Sequence, residues 1–176
     1  EQKKFWEIDY TSWDGLPIGS ESRRPASKDS IHSALTVLAY DRWEELVEKN
    51  MRFSSWLSRL DFLHKYYPQY PVLSEEQKKQ GLELACYGED TLKSLEEKDL
   101  IFYFQQMLKA DQLQILEREC PYDWQAPTGN RFKIDYSTEQ GPSVEVRLQE
   151  VFGLARNPMI CNIPLTFILL APNYRP

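Results

Sequence analysis

Glycine is scarce in this chain: seven in 176 residues, none paired at a spacing that could cradle a phosphate. No G-x-x-x-x-G-K-[ST] loop and no D-E-x-H segment occur, so the chain carries no nucleotide-driven motor of its own. Histidine is scarcer still. His32 and His64 are the only two, each in a helical pattern without Cys, His or carboxylate partners at ligand spacing, so no metal site is expected. The three cysteines, Cys86, Cys120 and Cys161, are odd in number and widely spaced. Without a C-x-x-C pair, neither a disulfide framework nor a zinc site is expected, and reduced thiols are the simplest reading. No G-x-S-x-G elbow is present. The acidic doublets Glu44-Glu45, Glu75-Glu76 and Glu96-Glu97 read as exposed helix positions rather than paired catalytic carboxylates. No catalytic residue is assigned.

A basic excess is also missing. The chain has 27 acidic against 21 basic residues and a net charge of −6. Nucleic-acid binders usually carry a positive field, because phosphate neutralisation supplies most non-specific affinity. The charge is uneven, however. From residue 131 onward Arg131, Lys133, Arg147, Arg156 and Arg175 slightly outnumber Asp135, Glu139, Glu145 and Glu150. Long apolar runs are lacking too. The longest, residues 165–171, is interrupted by Thr166 and is too short to span a bilayer. With no signal peptide visible, a cytoplasmic protein without membrane contact is expected.

What is present suits one domain or two small ones: 41% hydrophobic and 13% aromatic residues, enough large rings to anchor a core. Residues 5–10 alternate as a short strand. Residues 20–29 are polar, broken by Pro25, and read as a linker. From Ser30, a plausible N-cap, the period becomes helical. A helix is expected over residues 42–66, with its register drifting near Asn50. Ser74 and Gln77 fit a capping box for the next, which Gly88 stops. Thr91, Asp99 and Asp111 are candidate caps for shorter helices ending near Cys120-Pro121. Five or six helices are thus expected over residues 30–121, a bundle-like half.

The period then switches to two. Strands on either side of the turn at residues 127–130 form a hairpin. A second turn at Gly141-Pro142 leads to alternating Val144, Val146 and Leu148, then to a short helix stopped by Gly153. Leu148, Val151 and Phe152 stand at i, i+3 and i+4 and are expected to be buried, so that Phe152→Ala would cost roughly 3–5 kcal/mol. Residues 163–170 form a closing strand. The fold class is therefore α+β: a helical bundle-like half followed by a small antiparallel β half over residues 122–176. The missing initiator Met and the turn-like ending after a strong strand fit a domain excised from a longer protein.

Three basic residues merit a binding reading. In strand 131–136, Arg131, Lys133 and Asp135 face one way while Phe132, Ile134 and Tyr136 face the other. With Arg147, these cations could meet phosphates, or simply form a solvated face. Trp6, Tyr10 and Trp13 could stack bases or pack between domains. Gln149 and Glu150, left off the apolar face of their helix, are candidates for polar contact with another domain.

The segment Pro127-Thr128-Gly129, the strand ending in Asp135-Tyr136 and the run Val146-Arg147-Leu148-Gln149-Glu150-Val151-Phe152-Gly153-Leu154 resemble the C-terminal region of HrpB-type DExH-box ATP-dependent helicases. Residues 53–70, 91–120 and 165–172 are similar to further parts of that region. The resemblance implies a parent with two RecA-like domains that hold ATP and Mg²⁺ outside this chain, and no cofactor within it. It implies that residues 1–29 are the tail of a preceding β domain. Its partners would be the remaining domains of the parent and single-stranded RNA or DNA. Two roles stay open: a scaffold that docks on the motor and guides a strand, or a module that recruits a protein partner.

Overall fold

The computed structural model describes residues 6–9, 12–14, 16–17, 22–70, 72–138 and 140–171. Two short antiparallel pairs come first: β1 (Trp6–Asp9) with β4 (Ser22–Pro25), and β2 (Ser12–Trp13) with β3 (Leu16–Pro17). Part of the expected linker is therefore a strand. Arg24 Nε meets Glu7 Oε2 at 2.5 Å across the β1–β4 pair, a contact between residues too far apart in sequence for local pattern to reveal. Tyr10 and residues 173–176 lie outside the described residues.

Among the described residues seven helices follow: α1 (Lys28–Asp41), α2 (Trp43–Lys49), α3 (Met51–Tyr66), α4 (Glu75–Cys86), α5 (Leu92–Glu96), α6 (Leu100–Phe104) and α7 (Ala110–Glu119). Side chains set most of their starts. Ser27, rather than Ser30, caps α1 by accepting from the Ser30 N–H. Ser74 and Gln77 form the expected capping box, and Thr91 caps α5. Asp99 precedes α6 without a side-chain cap. Asp111 lies inside the first turn of α7, which begins directly after Lys109, whose N–H bonds the Gln112 side chain. The drift at Asn50 is a true break between α2 and α3. Asn50 accepts from the Phe53 N–H and donates to the carbonyls of Glu96 and Lys98, so it caps one helix and ties it to another.

The helical core is aromatic. Phe53 and Phe104 are fully buried, with ring centroids 4.7 Å apart, and Trp43 meets both edge-on. Gly81 admits this packing. A Cβ there would stand 2.5 Å from Phe104 Cε1, so only glycine lets α4 approach so closely.

The β half begins with a hairpin, β5 (Asp123–Gln125) against β6 (Arg131–Lys133), around a turn in which Gly129 takes φ +91°. An isolated bridge, Asp135 to Ser143, joins this hairpin to β7 (Ser143–Arg147). A short hairpin, β8 (Met159–Ile160) with β9 (Ile163–Pro164), precedes β10 (Thr166–Leu170). The α+β class holds, with one correction. β10 pairs with β7 in parallel, so the β half is not wholly antiparallel. Residues 148–165 supply the crossover that a parallel pair requires, and alternation alone carries no strand direction.

A second correction concerns residues 148–152. Leu148–Val151 wind as a 3-10 turn, and Phe152 is extended at φ −64°, ψ 133°. With three residues per turn the i and i+4 positions no longer share a face. Phe152 is consequently exposed, at 62%; Leu148, at the start of the turn, is 49% exposed, while Val151 packs on the core. Gly153 does adopt the left-handed conformation, φ +86°.

The two halves share one core. Phe62 of α3 packs edge-on against Tyr136 at 5.2 Å. The Tyr136 hydroxyl donates to the Pro121 carbonyl at 2.6 Å, and burial raises its pKa well above the ordinary phenol value. Arg59, 4% exposed, donates from Nε to the Cys120 carbonyl at 2.7 Å and pairs with Glu117.

Candidate functional site

Alternation in β6 and β7 sets an outer sheet face. Arg131, Lys133 and Asp135 are exposed, while Ile134 and Tyr136 are buried and Phe132 half-buried. In β7 Glu145 and Arg147 point outward and Val144 and Val146 inward. The parallel register sets Ile168 beside Glu145 and Leu170 beside Arg147. The outer face thus carries a row of ions bordered by exposed Ile168 and Leu170 on β10.

This face is divided into two grooves. The first is lined by Asn130, Arg131, Phe132, Glu145, Arg147 and Glu150 among others, and it brings Arg131 and Arg147 together with two glutamates. The second, about 470 Å³, runs between the start of α3 and the sheet. Lys133 stands there among Glu48, Asp135 and Glu145, beside Ser54, Ser55 and Ser58. The three sequence-derived cations therefore share a face but not a positive pocket. Arg131 Nη1 is 3.2 Å from Asp123. Lys133 lies over the Tyr122 ring at 5.8 Å. Arg147 ends β7 exposed, with no ion pair among the described residues.

The two motif blocks that stand apart in sequence meet at this face. Glu150 accepts hydrogen bonds from the Thr128 hydroxyl and, at 3.1 Å, from the Asn130 amide. Its carboxylate clamps the 3-10 turn to the hairpin turn and is already engaged within the chain. Gln149 is exposed beside it. Trp6 is exposed at 53%. Trp13 lies in β2, with its side chain outside the described residues.

Other polar residues are used locally. His32 Nε2 and His64 Nδ1 each donate to a backbone carbonyl, of Glu83 and Tyr70 respectively, at 2.8 Å. Among the described residues no cluster of three His, Cys, Asp or Glu is arranged to hold a metal. No described helix is long and apolar enough to cross a membrane. The exposed apolar border of β10 escaped the sequence reading. Residues 163–170 read as a strand, but their pattern does not say which strand becomes an edge.

An ATP-dependent helicase C-terminal profile matches residues 82–176. The chain belongs to that family. It is 29% identical to the ATP-dependent RNA helicase HrpB of Escherichia coli (strain K12) over 94% of its own length, and spans 22% of that relative. Two solved structures share the fold. The crystal structure of the Escherichia coli DEAH/RHA helicase HrpB superposes with a TM-score of 0.69 at 23% identity, covering 96% of this chain and 24% of that one. That of the E. coli DExH-box NTPase HrpB gives 0.67 at 24% identity, over 99% of this chain and 24% of that one.

Proposed function

We propose that this chain is a non-catalytic docking domain of an ATP-dependent helicase, which scaffolds the motor from its C-terminal side in a cytoplasmic setting. ATP and Mg²⁺ act elsewhere in the parent. The observation that carries the reading is the β10 edge: Ile168, Leu169 and Leu170 are 42–53% exposed in consecutive positions, and only β7 pairs with this strand among the described residues. An apolar strand edge of this kind invites another protein surface. The ions beside it are of both signs, Arg131 and Arg147 with Glu145 and Glu150, which suits a fixed protein partner better than a phosphate chain. The remaining domains of the parent are the partner proposed.

A second reading, guidance of single-stranded RNA or DNA, draws on Arg131 and Arg147 in one groove. It is opposed by the acidic surroundings of Lys133. Recruitment of a separate protein would use the same apolar edge.

The test measures both. The chain is titrated with the rest of the parent helicase by calorimetry, and with labelled single-stranded RNA and DNA by anisotropy at low and moderate salt. Docking predicts that I168E/L170E weakens parent binding about tenfold or more, since each side chain buries apolar area worth roughly 1.5–3 kcal/mol. Parent binding that is absent, or indifferent to I168E/L170E, would overturn it. RNA or DNA binding that falls steeply with salt and with R131A/K133A/R147A would favour the strand-guiding reading.

A further inference from the structure

All three cysteines are free and buried, and two of them meet. Cys120 caps the C-terminus of α7 in the helical half. Cys161 lies in the two-residue turn between β8 and β9. Their Sγ atoms are 3.3 Å apart although 41 residues separate them. A disulfide has an S–S length of about 2.05 Å, so closing the bond needs a movement of only about 1.3 Å. Cys161 and Asn162 have φ +48° and +63°, the pattern of a type I′ hairpin turn, which asks for Asn or Gly at both central positions. Nothing in the turn itself calls for cysteine.

We propose that Cys120 and Cys161 are a modification site: a small peroxide converts them to a reversible intramolecular disulfide that locks α7 to the β half. Cys161 Sγ also faces the Glu119 carbonyl at 3.5 Å. With the Cys120 thiol as donor in the sulfur–sulfur contact, Cys161 is held below the usual thiol range, which makes Cys161 the attacking group. Its thiolate attacks one peroxide oxygen and the O–O bond breaks. Hydroxide leaves, takes up the proton Cys161 released, and departs as water. The sulfenic acid on Cys161 is then attacked by Cys120, which gives up its proton. The S–O bond breaks and a second water forms. Two thiols have lost two electrons, and one peroxide has become two waters. Because Cys120 is fully buried and Cys161 is 5% exposed, only a small oxidant fits. The neighbouring thiol captures the sulfenic acid before further oxidation.

The test uses the whole chain, reduced, desalted and exposed to a few equivalents of hydrogen peroxide. Free thiols are counted in denaturant and peptides are mapped by mass spectrometry. Three thiols should fall to one, with a peptide linking Cys120 to Cys161. Closing a loop of this length should raise Tm by about 5–10 °C, reversibly with dithiothreitol. C86S should give the same linked peptide. Three surviving thiols, a sulfinic acid on Cys161 without linkage, or a bond through Cys86 would overturn the proposal.

Discussion

Ile134 and Phe152 are both large, apolar and set in motif-bearing segments, yet they end in opposite environments. Ile134 is 1% exposed within the core, whereas the Phe152 ring faces outward. Burial, not residue type, sets the cost of truncation. Ile134→Ala should lose about 2–5 kcal/mol through lost contacts and a residual cavity. Phe152→Ala should stay within about 0.5 kcal/mol. Urea unfolding of the two variants checks this, and a larger loss at Phe152 would mean that its ring is covered. Period two marked Ile134 correctly as inward-facing, because a strand enforces alternation. Phe152 departs from its expected burial because that expectation rests on an α-helical i+4 relation that a 3-10 turn does not provide.

Single polar side chains decide several element boundaries. Asn50 is the clearest case, since one residue ends α2, caps α3 and donates to the carbonyls of Glu96 and Lys98 at the end of α5. Removing it strips a cap and takes the side-chain donor away from the Glu96 and Lys98 carbonyls, of which Lys98 still accepts from the Leu100 N–H. Asn50→Ala should therefore cost about 2–4 kcal/mol by chemical denaturation. Asn50→Asp keeps the acceptor and loses the donors, so it should fall between. A loss under about 0.5 kcal/mol for the alanine variant would show that water replaces both roles. The register drift at this position was legible in sequence because apolar spacing is local. The bonds to Glu96 and Lys98 were not, since they join residues almost fifty positions apart.

At the scale of the whole molecule, the helical and β halves form one buried cluster running from Leu35 through Phe104 and Ile134 to Leu165. Arg59 and Tyr136 bind the carbonyls of Cys120 and Pro121, where one half gives way to the other. Such a shared interior predicts a single cooperative transition, with helical circular dichroism and tryptophan fluorescence superimposing on one denaturation curve. Two separated transitions would mean that each half folds alone. The change of period near residue 122 is thus a change of secondary structure within a common core.

Periodicity, caps and turn residues placed the helices, the hairpin at residues 127–130 and the inward faces of β6 and β7, since these follow from neighbours within a few positions. The sequence also carried the family, through the segment around Gly129 and the run ending at Gly153. Long-range pairing required the tertiary structure. Only there does β10 align in parallel with β7 and leave Ile168–Leu170 at an edge. Only there does Glu150 reach Thr128 and Asn130, and Cys120 approach Cys161. The physical reason is that hydrogen-bond periodicity is written locally, whereas edges, clefts and thiol pairs depend on which distant surfaces the chain buries together.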